Sequence, residues 1–210
     1  IVGGSGYTGI ELLRLLALHP NVDLHNITSR NDAGRYVYEV YPSLRGILNH
    51  KFKSPDEIDL KESNLVFFAT PNGVAMKYAK ELISNDIKVI DLAADFRIKD
   101  VKEWEKWYEM PHQCPDILEE AVYGLPEVNR QKIKNAKLIA NPGCYPTAIQ
   151  LALIPLLKEG LIDPLSIIAD AKSGISGAGK KNKVDLLMSE ASENFKAYSL
   201  TGHRHQPEIE

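Results

Sequence analysis

The sequence predicts an α/β protein with a parallel β-sheet in its first domain, followed by the start of a second domain. Three observations support this fold class. Short apolar runs alternate with segments of helical periodicity through the first two thirds of the chain, as in βαβ units. A glycine-rich turn opens the chain between an apolar run and a helical pattern. The pattern changes near Pro142, so we assign residues 1–142 to the first domain and 143–210 to the second.

The regular elements of the first domain follow from its apolar spacing. The predicted strands are Leu24–Thr28, Leu65–Thr70, Lys88–Leu92 and Leu138–Ala140. Apolar residues recur at three- and four-residue spacing in the predicted helices Ile10–Leu18 and Ala75–Ile83. Two Trp, three Pro and mixed charge interrupt this pattern from Asp100 to Pro126, and the segment is predicted to be a surface loop.

The second domain begins with a predicted helix, Thr147–Lys158, in which Pro155 is expected to introduce a kink. A strand is predicted at Ser166–Lys172, and a glycine-rich loop follows it. The chain opens within a strand-to-glycine turn and ends without a polar or glycine-rich boundary. We therefore expect the sequence to be a fragment that lacks part of its first strand.

Composition excludes several function classes. The net charge is −3 and the basic residues are scattered, which argues against a nucleic-acid or anionic-membrane partner and favours a small molecule. No apolar run approaches the roughly 20 residues that cross a bilayer. Two cysteines are too few for a disulfide framework in a chain of this size, so a reducing, cytoplasmic location is predicted.

The glycine turn is a candidate nucleotide site. Gly3, Gly6 and Gly9 lie between a strand end and a helical pattern, and Gly4 to Gly9 also fits G-x-G-x-x-G. Such glycines allow a tight turn, close approach of a pyrophosphate and close helix packing. The predicted cofactor contacts here are Gly3, Ser5, Gly6, Tyr7, Thr8 and Gly9. A structural turn that binds nothing is the alternative.

The end of the second predicted strand indicates which dinucleotide would bind. An acidic residue at this place would bind the ribose hydroxyls of NAD, but the chain has Thr28-Ser29-Arg30. The Ser29 hydroxyl and the Arg30 guanidinium suit a 2′-phosphate, so NADP(H) is favoured over NAD(H). Asp32 keeps NAD(H) as an alternative cofactor, and a solvated surface charge is the alternative interpretation of Arg30.

Cys144 is the candidate nucleophile. It follows Pro142-Gly143 at a strand end and precedes a helix, whose first N–H groups favour a thiolate. Gly143 has no side chain to obstruct a carbonyl that approaches the sulfur. A cysteine taken alone is more often an inert buried residue, which is the alternative here.

Two histidines downstream are the candidate acid/base groups. His203 and His205 would share one face of an extended segment, and only the fold can bring them to Cys144. His203, His205 and Glu208 could instead hold a metal ion, since alternate residues of a strand can ligate one ion. We predict no metal, because no other paired ligands are evident.

A second glycine loop, Ser173 to Lys181, resembles a Walker A motif as far as Lys180. Lys181 stands where a P-loop needs Ser or Thr for Mg²⁺, so an NTPase is the weaker hypothesis. We interpret the loop as a phosphate or nicotinamide cradle, with charge from Lys172 or Lys180. Its predicted cofactor contacts are Ser173, Gly174, Gly177, Ala178 and Gly179.

These motifs together resemble the N-acetyl-γ-glutamyl-phosphate reductase family of arginine biosynthesis along the whole chain. The matching runs, in order, are Gly3–Gly9, Asp91–Arg97, Tyr123–Glu127, Asn141–Thr147, Ser173–Gly179 and Gly202–Ile209. The resemblance implies a Rossmann NADP-binding domain, then the first part of a semialdehyde-dehydrogenase-like α+β catalytic and dimerisation domain. It also implies a homo-oligomer, either a dimer or a tetramer.

The resemblance further implies a reaction. Cys144 would attack an acyl phosphate and form a thioester, NADPH would reduce it, and His203 would be the acid/base. Arg97, Arg204 and Glu208 are candidate substrate contacts, although either arginine could form a structural ion pair instead. An aminoadipyl-phosphate reductase of lysine biosynthesis and a non-catalytic NADP(H)-binding module remain alternatives.

Overall fold

The computed structural model describes residues 1–210, which divide into two compact units, Ile1–Asn141 (unit 1) and Pro142–Glu210 (unit 2). Unit 1 contains a four-stranded sheet of order β1-β2-β4-β3. The strands are β1 (Leu65–Phe68), β2 (Lys88–Asp91), β3 (Val122–Tyr123) and β4 (Leu138–Ala140). All three strand pairs are parallel, which confirms the predicted α/β fold class for unit 1.

Unit 1 contains five α-helices, and the last three connect the four strands, as parallel pairing requires. They are α1 (Tyr7–Leu16), α2 (Val37–Val40), α3 (Ala79–Ser84), α4 (Val101–Tyr108) and α5 (Pro126–Asn135). A short 3₁₀ turn at Ala75–Lys77 precedes α3, so the predicted helix Ala75–Ile83 is divided into two parts. Helix α1 begins three residues before the predicted Ile10, directly after Gly6.

The predicted strand Leu24–Thr28 is reduced to a single bridge at Thr28, which pairs with Lys53. The Thr28 N–H donates to the Ile1 carbonyl at 2.9 Å, and the Gly4 N–H donates to the Thr28 carbonyl at 2.8 Å. Hydrogen bonding is therefore concentrated at the C-terminal end of this run, where it lies beside the glycine turn.

The prediction of a loop over Asp100–Pro126 is wrong. The Asp100 side chain accepts the Glu103 N–H and caps α4, and Trp104 and Tyr108 form its buried face. The Trp104 indole N–H donates to the Ala94 carbonyl at 2.8 Å. Two aromatic residues spaced by four are a helical signal that the nearby prolines obscured.

Two apolar clusters form the core of unit 1. The larger one packs around the sheet and includes Phe68, Val89 and Trp104, all fully buried. The smaller one joins Leu13 of α1 to Ile27 and Phe52. Burial of each such side chain contributes about 1.5–3 kcal/mol to the free energy of unfolding. These clusters therefore hold the glycine turn and the backbone at Thr28 in place.

Unit 2 is helical. Its helices are α6 (Cys144–Lys158), α7 (Met188–Ala191) and α8 (Gln206–Ile209), with 3₁₀ turns at Pro164–Ser166, Ile175–Ala178 and Val184–Leu186. Helix α6 begins three residues before the predicted Thr147 and contains Pro155. The predicted strand Ser166–Lys172 is wrong, because residues 142–210 contain no neighbouring strand to complete its hydrogen bonds.

No helix of the chain has the length and apolar character that a membrane span requires.

Candidate functional site

The glycine turn of unit 1 is built so that side chains are excluded. Gly3 has φ +85°, and a Cβ there would lie 2.4 Å from the Ala69 carbonyl oxygen. A Cβ on Gly9 would lie 2.6 Å from the Gly3 and Gly4 backbone. These two glycines are therefore required by backbone packing, which brings the turn close to the first turn of α1.

Gly6 differs from its two neighbours in the motif. A Cβ on Gly6 would meet nothing within 4 Å, so the space beside it is open. Gly6 is also the N-cap of the ten-residue helix α1 and provides no side-chain cap. The first N–H groups of α1, at Tyr7 and Thr8, thus face a position where an anionic oxygen can approach. This geometry fits a dinucleotide pyrophosphate.

The residues that follow Thr28 form the other half of the predicted nucleotide site. The Ser5 and Ser29 hydroxyls lie 2.7 Å apart, and the Tyr41 hydroxyl donates to the Ser5 carbonyl. Ser29 is buried, whereas the Arg30 side chain is exposed. Asp32 forms an ion pair with Arg35, with 2.8 Å between Oδ1 and Nη1. The Ser29 hydroxyl is thus next to the glycine turn, and the exposed Arg30 directly follows Ser29 in the chain.

Cys144 is the first residue of α6 in unit 2, and its side chain is exposed. The preceding turn is held from two directions. The Gly143 N–H donates to the buried Glu208 carboxylate at 2.7 Å, and the Thr147 hydroxyl donates to the Gly143 carbonyl at 2.8 Å. The sulfur therefore lies at the positive end of a fifteen-residue helix, on a fixed turn and open to solvent.

An aromatic cluster surrounds His203 in unit 2. The Tyr145 and His203 ring centroids are 5.3 Å apart in an edge-to-face arrangement, and Tyr145 directly follows Cys144. The Tyr198 hydroxyl donates to the Tyr145 hydroxyl at 2.9 Å and lies 3.3 Å from His203 Nε2. Partial burial, the hydrogen bond to Tyr145 and the charges of Tyr145 and Cys144 raise the pKa of Tyr198 to about 12. The structure thus groups Tyr145, Tyr198 and His203, and Cys144 directly precedes Tyr145 in the chain.

The protonation of His203 follows from its contacts. His203 Nδ1 accepts the backbone N–H of His205 at 3.0 Å, so a neutral His203 carries its proton on Nε2. Burial, followed by the charge of Arg204, lowers the pKa of His203 below its ordinary value of 6.5. The ring is therefore neutral at pH 7, and its Nε2–H is a hydrogen-bond donor beside Tyr198.

The predicted substrate contacts have different surroundings. In unit 1, Arg97 Nε donates to the Asn141 carbonyl at 2.7 Å and Nη2 donates to the Leu92 carbonyl at 2.8 Å. This guanidinium connects the ends of β2 and β4. In unit 2, Arg204 is exposed, and the Glu208 carboxylate is engaged by Gly143.

The second glycine loop lies on the surface of unit 2. Gly174 precedes the 3₁₀ turn Ile175–Ala178, and a Cβ on Gly177 would lie 2.3 Å from the Ser173 hydroxyl. Gly179 has φ +78°. Lys172 forms an ion pair with Asp170. The cofactor contacts that we predict for this loop stay predictions.

The metal hypothesis for His203, His205 and Glu208 finds no support in the geometry. No three His, Cys, Asp or Glu side chains of the chain are arranged to hold a metal ion. The Glu208 carboxylate instead accepts the Gly143 N–H.

Sequence reasoning missed several residues of these two regions. Tyr41 and Arg35 are separated from the glycine turn by more than twenty residues, and no motif marks them. Tyr198 precedes His203 by five residues without a recognisable pattern. Tyr145 directly follows Cys144 in the run Asn141–Thr147, and this adjacency to the candidate nucleophile is a signal that could have identified it.

Two family models match the chain, one in each part. The family model of the semialdehyde dehydrogenase NAD-binding domain matches residues 1–136, and that of the semialdehyde dehydrogenase dimerisation domain matches residues 144–210. The NAD-binding match confirms the dinucleotide-binding domain predicted from the glycine turn.

Curated relatives match the chain from end to end. N-acetyl-gamma-glutamyl-phosphate reductases from Thiobacillus denitrificans and Nitrosomonas europaea are each 61% identical over 209 residues, covering 100% of this chain. The protein of that name from Polynucleobacter asymbioticus is 62% identical over 216 residues. The chain spans 61% of the length of each of these relatives.

Two solved structures share the fold. Aspartate semialdehyde dehydrogenase II from Vibrio cholerae, in its complex with ASA, matches with a TM-score of 0.55 and 18% identity, over 85% of this chain and 47% of its own. A second structure of that enzyme has a TM-score of 0.52 and 20% identity, over 75% of this chain and 41% of its own. The chain belongs to the semialdehyde dehydrogenase family.

Proposed function

We propose that this chain belongs to an NADPH-dependent N-acetyl-γ-glutamyl-phosphate reductase, which forms N-acetyl-glutamate 5-semialdehyde and phosphate in arginine biosynthesis. The observation that carries the proposal is the exposed Cys144 at the start of α6, directly before Tyr145, whose ring packs against that of a neutral His203. The name of the relatives at about 60% identity supports this substrate, and it does not favour the aminoadipyl alternative.

Residues of unit 1 would hold the cofactor. The N–H groups at the start of α1 bind the pyrophosphate, with Gly3, Ser5, Gly6 and Gly9 forming the turn. Ser29 and Arg30 bind the 2′-phosphate, since a hydroxyl and a cation suit that dianion. Bound NADPH supplies the hydride for the reduction. The loop Ser173–Gly179 is a further candidate cradle for the cofactor or the leaving phosphate.

Cys144 begins the reaction by attacking the acyl carbon. A carbon–sulfur bond forms, the carbon–oxygen bond to phosphate breaks, and the thiol proton leaves with the phosphate. Cys144 suits this step because its sulfur is exposed and lies at the positive end of α6. Gly143, held by Glu208, leaves the approach to the sulfur open.

His203 acts on the acyl oxygen. Its Nε2–H donates a hydrogen bond to that oxygen and transfers its proton to it as the thioester is reduced to a thiohemiacetal, which leaves the ring as an imidazolate until the proton returns. When the thiohemiacetal collapses to the aldehyde, the hydroxyl proton returns to Nε2 and Cys144 is released as thiolate, which takes up a proton from solvent. Tyr198 holds the ring in this orientation from the side of Nε2.

The two arginines have separate proposed roles. Arg204 is exposed beside His203 and is placed to bind a substrate carboxylate or the phosphate. Arg97 positions the ends of β2 and β4 through backbone carbonyls. Glu208 acts on the substrate indirectly, by fixing the turn before Cys144.

We further propose that the protein is a homo-oligomer in the cytoplasm. The match of residues 144–210 to a dimerisation domain supports a second copy of this chain as partner. A free, exposed cysteine nucleophile requires a reducing compartment, which supports the location.

The activity is tested by following NADPH oxidation with N-acetyl-γ-glutamyl phosphate as substrate. We expect semialdehyde and phosphate in equal amounts with NADP⁺. Aminoadipyl phosphate, measured in parallel, should react more slowly. A protein that binds NADPH but reduces neither acyl phosphate would support the non-catalytic binding module instead.

A further inference from the structure

The surroundings of Asp32 point to a residue that determines cofactor specificity. We propose that Arg35 neutralises Asp32 and thereby preserves the preference for NADPH over NADH. This inference rests on the proposed NADPH-dependent function. Without Arg35, a carboxylate next to the predicted 2′-phosphate site would repel that dianion and would favour the ribose hydroxyls of NADH.

Asp32 is connected to the nucleotide region by hydrogen bonds. The Ser29 hydroxyl lies 2.7 Å from that of Ser5 in the glycine turn. The same Ser29 hydroxyl lies 3.3 Å from Asp32 Oδ2 and accepts the Asp32 N–H at 3.1 Å. The Asp32 side chain is only 14% exposed. Its carboxylate therefore lies beside Ser29, where an acidic residue would bind a ribose.

Arg35 occupies the remaining oxygen of this carboxylate. Its Nη1 donates to Asp32 Oδ1 at 2.8 Å, while Oδ2 faces the Ser29 hydroxyl. Both carboxylate oxygens are thus engaged, and the charge of Asp32 is compensated. Arg30, which is exposed, has its charge available for a phosphate.

The backbone holds this ion pair in place. The Arg35 N–H donates to the Asp32 carbonyl at 3.1 Å and closes a turn. The Gly34 N–H donates to the Phe52 carbonyl at 2.7 Å, and the Phe52 N–H donates to the Arg35 carbonyl at 2.9 Å. Gly34 has φ +86°, which favours glycine in this turn. Because Phe52 is a core residue, the turn that carries Arg35 is anchored to the core.

The test is the dissociation constant of NADPH and of NADH, measured by calorimetry on the purified protein. Arg35→Ala should weaken NADPH binding roughly tenfold, because a partly screened charge repulsion of this range is added. NADH binding should change less than about twofold. Arg35→Lys, which keeps the charge, should retain most of the preference.

The double variant Arg35→Ala/Asp32→Asn distinguishes charge from structure. Removing the carboxylate should restore NADPH binding if repulsion by Asp32 causes the loss. Arg14→Ala is the matched control, since Arg14 is an exposed arginine paired three residues away with Glu11 on α1. We expect it to leave both dissociation constants unchanged.

The outcomes separate this inference from the proposed function. A wild-type protein that binds NADH more tightly than NADPH would overturn the NADPH-dependent function. A wild-type preference for NADPH that survives Arg35→Ala would overturn only the role of Arg35. Equal weakening of both nucleotides would also overturn it, because that result indicates a structural contribution. A loss that the double variant does not restore would overturn it as well, because Arg35 would then not act through Asp32.

Discussion

The two cysteines of the chain lie in contrasting surroundings. Cys114 of unit 1 is 3% exposed and belongs to the apolar cluster around the sheet. Cys144 of unit 2 is exposed at the first position of a helix. The same side chain is thus placed once as a core residue and once at a surface where a ligand can reach it.

Electrostatics adds to the difference in burial. Burial raises the pKa of the Cys114 thiol to about 12, and the negative charges of Asp116, Asp95 and Asp91 act in the same direction. Burial and the charge of Asp95 also raise the pKa of Asp91, to about 7. Cys114 is therefore a neutral thiol at pH 7, and a neutral thiol is a poor nucleophile.

The comparison shows that the position of a cysteine in the fold, not its presence, indicates nucleophilic chemistry. The neighbours of Cys144 are a helix N-terminus, a fixed glycine turn and the cluster around His203. The neighbours of Cys114 are apolar side chains and carboxylates.

The largest expected effect is that of Cys144→Ala. Turnover should fall by a factor on the order of a thousand or more, because no other group can form the thioester. The dissociation constant of NADPH should stay unchanged. Cys114→Ala is the control and should retain turnover, with a loss of stability of about 1 kcal/mol from the small cavity. Comparable loss of turnover in both variants would contradict the assignment.

His203→Asn should lower kcat roughly a hundredfold or more, since a proton donor for the acyl oxygen is lost. In the wild type, kcat/KM should stay level as the pH falls to 6.5 and decline only below it, because the pKa of His203 is lowered. Protonation adds a proton to Nδ1, which then opposes the His205 N–H. The pH profile of His203→Asn should lack this acidic limb. If the acidic limb persists in the variant, the decline of kcat/KM must be assigned to another titrating group.

A smaller effect is expected for Tyr198→Phe, about tenfold on kcat with little change in KM. The ring stays, but the hydroxyl contact with His203 Nε2 is lost. Nitrogen NMR of labelled histidine should show a less uniform tautomer of His203 in the variant. Unchanged NMR signals together with unchanged kcat would remove Tyr198 from the site.

Local features of the sequence predicted much of this arrangement. The glycine spacing predicted the turn at α1, because Gly3 and Gly9 are required by contacts within a short stretch of chain. Cys144 was identifiable because a strand end, Pro142-Gly143 and a helical pattern follow one another. Both inferences depend on neighbours in sequence, which a single chain displays directly.

Contacts between distant parts of the chain could not be predicted in this way. Glu208 reaches Gly143 across 65 residues, and the Tyr41 hydroxyl reaches Ser5 across 36. The strand predicted at Ser166–Lys172 is wrong for a related reason. Its apolar pattern is present in the sequence, but residues 142–210 contain no other strand with which it could pair. Propensity alone does not provide the partner that a strand requires.

The most direct test of the account is to identify the acylated residue. The protein is mixed with N-acetyl-γ-glutamyl phosphate without NADPH, quenched in acid and digested, and its peptides are measured by mass spectrometry. We predict the acyl group on the peptide that contains Cys144, at close to one per chain, and none on the peptide that contains Cys114. Acylation of Cys114, or turnover without any acylated cysteine, would rule out Cys144 as the nucleophile.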